Sequence, residues 1–433
     1  MTAFPHELPR AAVNAKAIAL ITGAAVGLGV FLSGFVINEP APYELFMTAL
    51  IAVWAFAGLR LSRFVMPLLI LLVVFNIGGV LSMSFMDDMA RSPVYPPLYI
   101  AVSLFLAFTA VFIAAAVEVR PALYSVMFRA WIVSACLTSF LGIAGYFHAF
   151  PGADIFTRYD RAAGAFEDPN VFGPFLVLPG IYLLQRIILD PVRMLLYSVP
   201  LLLILGGLFL SFSRGAWGLY LASAVLLVGC LFLQSSSGRF RLRVAVMTIA
   251  AVTLLVLALL IALQIPAISD LFTTRAQLVQ DYDGARLGRF ARYGIGFGMA
   301  AENPFGIGPL MFGQLLGEDT HNIWLKALMD YGWLGFACWL TMVLWTIVGG
   351  FRILFRDRPW QPYLLCAYVV FVGHVFLGTF IDTDHWRHFY LLIGMVWGAM
   401  GLEYRHQIAA AGRSAKSIVT GRPISVDRLP ARQ

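Results

Sequence analysis

The residues best suited to chemistry lie in four separate connections between apolar segments. They are Arg161, Arg214, Arg289 and His321. Arginine carries a permanent planar cation that binds phosphate through two hydrogen bonds, and neutral histidine accepts a proton near physiological pH. If they converge, three guanidinium groups and one imidazole would bind an anion and deprotonate a hydroxyl. Whether they converge depends on how the apolar segments fold.

These segments predict a membrane protein built from helices. The chain has 433 residues, of which 60% are hydrophobic and 12% charged. Runs of about 18 or more apolar residues recur, and each is long enough to cross a bilayer as a helix. We predict an all-α polytopic membrane fold with about twelve spans, at 17–37, 43–59, 64–84, 98–117, 122–146, 171–189, 194–211, 215–234, 243–264, 322–350, 361–381 and 388–402.

The charge distribution predicts how the spans are oriented. With the N-terminus inside, about two thirds of the 30 basic residues and about a quarter of the 23 acidic ones lie on the cytoplasmic side. The positive-inside rule requires this asymmetry. Both ends are then cytoplasmic. Residues 1–402 form a single transmembrane domain, and residues 403–433 form a basic cytoplasmic tail that is disordered or lies on the anionic leaflet.

The predicted outer side has two extended connections, at about 147–170 and 264–321, and the second is the one long periplasmic loop. Arg161, Arg214, Arg289 and His321 all lie on this side. Arginines of membrane proteins collect on the cytoplasmic side. An anionic substrate is the simplest reason for a set of them on the opposite side.

The first outer motif is RAAGAFEDPNVFG at 161–173. Arg161 is a candidate for substrate binding, and Asn170 is free either to cap the following helix or to meet substrate. The alternative is structural, because Glu167 and Asp168 could neutralise Arg161 locally.

The second outer motif is SFSRGAW at 211–217. Arg214 beside the hydroxyls of Ser211 and Ser213 would clamp an oxyanion, since the guanidinium fork binds phosphate bidentately. The alternative is an arginine that extends to lipid phosphates at the membrane boundary.

The third motif is the arginine-rich part of the long loop. Arg289 and Arg292 are three residues apart and Tyr293 follows Arg289 by four, so all three share one face of a predicted helix. Arg286 lies close enough to take the place of Arg289. The proline- and glycine-rich turn at 303–309 ends this helix. The alternative is a solvated ion-pair network with two aspartates of the loop, Asp281 and Asp283.

The fourth motif is HNIWLKALMDYGWLGF at 321–336. His321 is predicted at the start of a helix, where the helix dipole favours its neutral form and therefore a role as general base. Asn322 is a candidate for substrate binding. Asp330, Tyr331 and Gly332 predict a break in the long tenth span.

A weaker group occupies the last outer connection, DTDHWRHFY at 382–390. Asp382, Asp384, His385 and His388 could form hydrogen bonds on the acceptor side or, less simply, hold a metal ion. We predict no metal site.

Taken in order, these motifs resemble the O-antigen ligase and polymerase superfamily of bacterial envelope glycan enzymes. The matching pieces are R-x-x-G-x-F-x-D-P-N at 161–170, S-x-S-R-G at 211–215, P-x-G-I-G at 304–308 with an arginine fifteen residues earlier, and H-N-x-x-L-x-x-x-x-x-x-G-x-x-G at 321–335. Each motif alone is degenerate, but the four in order are specific and cover most of the chain.

The resemblance implies a GT-C-like fold and glycan transfer on the periplasmic side of the bacterial inner membrane. The donor would be a glycan on undecaprenyl diphosphate, and the acceptor lipid A–core or another carrier-linked glycan. No cofactor, metal or nucleic acid is implied. Carried over by position, Arg214 and Arg289 would hold the diphosphate and His321 would activate the acceptor hydroxyl. The family often has tryptophan where this chain has Tyr293.

Displacement from the face opposite the diphosphate predicts inversion of the anomeric centre. The motifs do not separate a ligase from a polymerase. The alternative of a different class is a transporter or flippase for a lipid-linked anionic glycan. Such a protein would place ionisable residues in mid-membrane, on broken helices related by repeats. Here the polar residues gather at one surface.

Overall fold

Helices dominate the structure because a helix satisfies its own backbone hydrogen bonds, as lipid requires. The computed structural model describes residues 10–58, 60–86, 95–275 and 288–420. Its helices are α1 (Arg10–Leu32), α2 (Pro42–Phe56), α3 (Met66–Met83), α4 (Tyr95–Val119), α5 (Leu123–Tyr146), α6 (Pro169–Phe175), α7 (Val177–Leu189), α8 (Met194–Leu210), α9 (Arg214–Gln234), α10 (Gly238–Ala262), α11 (Pro266–Arg275), α12 (Arg289–Glu302), α13 (Met311–Leu316), α14 (Ile323–Leu354), α15 (Gln361–Leu377) and α16 (Arg387–Thr420). Two short strands, β1 (Thr157–Arg158) and β2 (Arg161–Ala162), pair antiparallel.

The helices coincide with the twelve predicted spans, with shifts of several residues at some ends. In the described part of the chain, nine helical segments are long and apolar enough to cross a membrane. Two shorter apolar helices, α2 and α15, and the first half of α16 lie at the other three predicted spans. The sixth span is divided into α6 and α7. The prediction of an all-α polytopic membrane protein is confirmed.

The last helix runs further than the sequence predicted. α16 continues to Thr420, so residues 403–420 extend the helix and show no break at the predicted start of the tail. Glu403, at the predicted start of the tail, is held by two arginines. Its buried carboxylate accepts hydrogen bonds from Arg356 (2.6 Å) and Arg358 (2.7 Å), which tie α16 to the connection after α14.

Small residues let the central helices approach closely. α16 packs along α4, where a β-carbon built on Gly394 would lie 2.7 Å from the Ala110 carbonyl oxygen. One built on Gly398 would lie 2.8 Å from Val117 Cγ1. Association between membrane helices depends on such close packing, because lipid chains are as apolar as the side chains.

α10 differs from the other long helices because most of its surface faces outward. Val244 is the one buried residue in this fully described helix, and every residue from 248 to 258 is exposed. An apolar helix exposed on all sides is stable in a bilayer, where lipid chains cover it. α10 therefore faces lipid and contributes little to the core.

The predicted break in the tenth span is present as a kink in α14. Gly332 has a φ of 66° and a ψ of −177°, a conformation that glycine alone adopts readily. The turn at 303–309 supplies the hydrogen bonds that the kink removes from the helix. Trp333 N donates to the Pro304 carbonyl (3.0 Å), and Ile307 N donates to the Met329 carbonyl (2.8 Å). The long loop is thereby fixed to the middle of α14.

Replacing Gly332 with alanine is expected to lower the free energy of unfolding by about 3 kcal/mol. The added β-carbon would also lie 2.7 Å from the Phe305 carbonyl oxygen. Thermal unfolding of the purified protein measures the change. Gly298→Ala in α12 is the control, because its β-carbon meets nothing within 4 Å. Alanine at this position is expected to raise the free energy of unfolding by about 0.5–1 kcal/mol. Equal melting temperatures for the two variants would show that the kink does not require glycine.

Candidate functional site

The predicted motifs meet at one end of the helix bundle, where α15 ends. A β-carbon built on Gly215, beside Arg214, would lie 2.8 Å from Leu377 Cδ1, and one built on Gly378 would lie 2.7 Å from Ile323 Cγ2. The Thr379 carbonyl accepts hydrogen bonds from two further motif residues. These donors are the Tyr293 hydroxyl (3.0 Å) and Asn322 Nδ2 (3.2 Å). We call this end of the bundle the polar end.

Arg161 joins three segments of the polar end. Its buried guanidinium donates from Nε to the Ser211 carbonyl (2.6 Å) and from Nη2 to Asn170 Oδ1 (2.8 Å). β2, α6 and the turn between α8 and α9 are therefore held together. Of the two roles left open for Asn170, capping of the helix belongs to another residue. Asp168 is the N-cap of α6, and its carboxylate accepts a hydrogen bond from Asn170 N (2.8 Å).

The two predicted serines shape the turn before α9. The Ser211 hydroxyl is buried and donates to the Leu208 carbonyl (2.7 Å), while Ser213 caps α9 by accepting from Ala216 N (3.4 Å). Arg214 follows as the first residue of α9 and is half-buried. The dipole of this 21-residue helix favours an anion at the same place. The serines thus position Arg214 and the start of α9.

Of the arginines of the long loop, Arg292 has a well-defined environment in the described part of the chain. Arg289 is the first residue of α12, which confirms a helix at this position, whereas Arg286, Asp281 and Asp283 lie outside the described residues. Arg292 is buried. Its Nη2 lies 2.5 Å from a Glu318 carboxylate oxygen, and its Nη1 donates to the Asp319 carbonyl (3.1 Å). Arg292 thus fixes the segment that precedes His321.

His321 stands between two carboxylates. Its Nε2 lies 3.1 Å from Glu318 Oε1, and its Nδ1 lies 3.4 Å from Asp382 Oδ2. The hydrogen bond to Asp382 raises the pKa of His321; burial opposes this increase and Glu318 adds to it. Burial would raise the pKa of Glu318, but its hydrogen bonds from Arg292 and His321 lower it.

The prediction that the helix dipole keeps His321 neutral is therefore wrong, because the pKa of His321 is raised and not lowered. α14 begins at Ile323, and its N-cap is Asn322, whose side chain accepts hydrogen bonds from the amides of Trp324 (3.0 Å) and Leu325 (3.2 Å). His321 precedes the cap with a positive φ of 52°. Its imidazole faces the carboxylates rather than the helix axis, so the charged form is favoured.

Lys326 is a site residue that sequence reasoning missed. Its buried Nζ lies 2.6 Å from Asp319 Oδ2 and 3.8 Å from Asp382 Oδ2, on the same carboxylate that faces His321. The signal was a lysine in an apolar run, four residues after Asn322 and hence on the same helical face. A buried lysine needs anionic partners, and the polar end provides them.

The last connection forms a hydrogen-bonded group around Asp384. The Tyr99 hydroxyl donates to its Oδ2 (2.5 Å), and His385 Nδ1 lies 2.8 Å from the same oxygen. Burial opposes ionisation, but His385, Lys326 and Tyr99 hold the pKa of Asp384 well below its usual range. Among the described residues, no group of three or more His, Cys, Asp or Glu side chains is arranged to hold a metal ion.

The comparison with known families agrees with this geometry. The sequence model of the O-antigen ligase family matches residues 199–340. The resemblance is confirmed. The match extends from α8 into α14 and contains Arg214, Arg289 and His321. No curated protein sequence matches the chain. The apolar helices are those of a multi-pass membrane protein, and the matched segment is similar to the O-antigen ligase family.

Proposed function

We propose that the protein transfers a glycan from undecaprenyl diphosphate to an acceptor hydroxyl at the polar end, on the periplasmic face of the bacterial inner membrane. One observation carries this proposal. His321, held between Asp382 and Glu318, lies at the same end of the bundle as Arg214 and the start of α9. A candidate base and a candidate anion site thus lie at one end of the bundle, and both belong to the segment that matches the family.

The two imidazole nitrogens of His321 have different roles in this proposal. Glu318, the partner of Nε2, is 52% exposed, whereas Asp382, the partner of Nδ1, is 19% exposed. An incoming hydroxyl displaces the more exposed partner more easily. Nε2 therefore meets the acceptor, and Asp382 orients the ring by accepting a hydrogen bond from Nδ1. Asp382 is a positioning residue, as is Lys326, whose ammonium faces the same carboxylate.

The reaction balances in one displacement. The acceptor oxygen attacks the anomeric carbon while its proton passes to His321 Nε2. The bond from that carbon to the diphosphate oxygen breaks, and its electron pair leaves with the diphosphate. Arg214, the positive end of the α9 dipole and an arginine of the long loop stabilise the departing charge electrostatically. Attack from the face opposite the leaving group inverts the anomeric centre.

Surface glycan in cells tests the proposal. A strain that lacks this protein is complemented with the wild-type chain or with His321→Ala, each expressed at the same level. Electrophoresis of lipopolysaccharide and secreted polysaccharide is combined with extraction of carrier-linked glycan. Loss of surface glycan with periplasmic accumulation of carrier-linked glycan is expected. The missing product, capped core or long polymer, identifies the acceptor. Intermediate retained on the cytoplasmic face would instead indicate a flippase.

The pH dependence of transfer is expected to depend on the contact between His321 and Asp382. His321 acts as a base only when unprotonated, so kcat rises with pH through its pKa and is constant above it. Asp382→Asn removes the largest cause that raises this pKa. The acidic limb of the pH–rate profile should therefore move to lower pH, and the plateau should fall because the ring loses its orientation.

Asp154→Asn is the matched control for this profile, because Asp154 pairs with the exposed His148 (2.7 Å). It should leave the profile unchanged. A limb that stays in place in Asp382→Asn, or that moves to higher pH, would exclude His321 as the titrating base.

A further inference from the structure

An open pocket of about 340 Å³ lies at the polar end, beside the strands β1 and β2. Sites for small molecules begin at about this size, near 300 Å³. The connection between α1 and α2 forms one wall and the start of α16 another. We call it the hairpin pocket. No role for it has followed from the motifs.

Two sets of residues link the hairpin pocket to the segments that hold Arg214 and His321. On one side, Asp168 lines the pocket and accepts from Asn170 N, and Asn170 in turn accepts from Arg161, which holds the turn before Arg214. On the other side, Arg387 lines the pocket at the start of α16, five residues after Asp382. The hairpin pocket is therefore linked through the fold to the segments that hold Arg214 and His321.

The charges of the lining exclude an anion as the preferred ligand. Three carboxylates line the pocket, those of Glu39, Glu167 and Asp168, against two guanidinium groups, those of Arg158 and Arg387. Arg387 is already engaged, because its Nη2 lies 2.7 Å from Glu39 and its Nε is bonded to Glu44. The lining is thus net negative and repels phosphate, which belongs near Arg214.

The uncharged part of the lining fits a sugar ring. Tyr159 lines the pocket with a 69% exposed side chain, and Val36 and Phe166 add apolar surface. A pyranose presents C–H groups on its faces, which pack on an aromatic ring, and hydroxyl donors around its rim. The carboxylate of Glu167 accepts such donors and makes no side-chain hydrogen bond with the described part of the chain.

We propose that the hairpin pocket binds a sugar residue of the glycan substrate, with Tyr159 stacked on the ring and Glu167 accepting hydrogen bonds from its hydroxyls. That this sugar belongs to the transferred glycan or its acceptor rests on the proposed function. Sugar binding itself does not. The pocket would select the glycan by its sugar, while the diphosphate is held elsewhere.

Binding to the full-length protein in lipid nanodiscs tests this proposal. The probes are two free oligosaccharides from the producing cell, one repeating unit of its surface glycan and its acceptor core. Tyr159→Ala is expected to weaken binding of one of them about tenfold, which corresponds to about 1.4 kcal/mol, because the sugar loses its packing on the aromatic ring. Tyr95→Ala is the matched control, because Tyr95 is 66% exposed at the start of α4 and does not line the pocket.

The bound probe identifies the source of the sugar. Weakened binding of the repeating unit assigns the pocket to the donor, and weakened binding of the core assigns it to the acceptor. Glu167→Gln should also weaken binding, whereas Glu302→Gln, at an exposed glutamate of α12, should not. Equal binding by Tyr159→Ala and the wild type, or inorganic pyrophosphate binding that Tyr159→Ala weakens, would overturn the proposal. Sugar binding with this dependence but without transfer would contradict only the proposed function.

Discussion

Replacing His321 with alanine is expected to reduce kcat for glycan transfer by about 10²–10⁴-fold, the usual contribution of a positioned general base. The acceptor hydroxyl would then have to lose its proton to water. The KM for the carrier-linked donor should change little, because the diphosphate is held by other residues. Rates with purified protein at saturating donor and acceptor measure the effect.

His148→Ala is the control for this loss. His148 is also a histidine paired with a carboxylate, 2.7 Å from Asp154, but both side chains are 74% exposed. Its replacement should leave kcat unchanged. A His321→Ala variant that retains more than about a tenth of wild-type kcat would show that another group is the base.

Replacing Arg214 with alanine is expected to lower kcat/KM by about 10²–10³-fold, as for the loss of one preorganised donor to a developing anion. Arg214→Lys should restore only part of the activity, because an ammonium lacks the planar fork that binds two phosphate oxygens. The loss should appear with every acceptor, since the leaving diphosphate is common to all of them. Initial rates at subsaturating donor measure it.

Arg193→Ala separates this role from attraction to lipid headgroups. Arg193 is exposed and precedes α8, at the end of that helix remote from Arg214. If Arg214 acted only through lipid phosphates, the two alanine variants would lose activity to a similar extent. Full activity of Arg214→Lys would also contradict a bidentate contact.

The spans were predictable because apolar length alone determines which segments cross a bilayer. The kink in α14 was predictable too, since Asp330, Tyr331 and Gly332 interrupt an apolar helix. The partners of the backbone groups that the kink leaves without helical hydrogen bonds were not predictable. Its hydrogen bonds come from the turn at 303–309, and nothing in the periodicity of α14 indicates that partner.

The site was predictable in its members but not in their partners. His321 and Arg214 could be selected because basic residues of membrane proteins collect on the cytoplasmic side, whereas these were predicted on the outer side. The pairing of His321 with Asp382 could not, because 61 residues of chain separate them and only the fold brings them to 3.4 Å. The direction of the His321 pKa shift followed from this pairing, so it was predicted wrongly from the helix dipole alone.

Arg161 shows the same limit for a different reason. The sequence offered two acidic neighbours or a substrate as its partners. In the structure its Nε donates to the Ser211 carbonyl, a backbone group that is present at every residue and leaves no mark in the sequence. Lys326 lies in the same motif as His321 and carries its own signal, because a lysine among apolar residues requires an anionic partner.

Transfer by the purified protein in proteoliposomes tests the central claim most directly. Labelled carrier-linked glycan and acceptor are supplied on the side to which the polar end is exposed, and both the product and the side on which the carrier lies are measured. We expect a product with an inverted anomeric centre from the wild type, little or none from His321→Ala, and no movement of the intact carrier-linked glycan across the bilayer. Movement of the intact glycan without any product would contradict the account and identify a flippase.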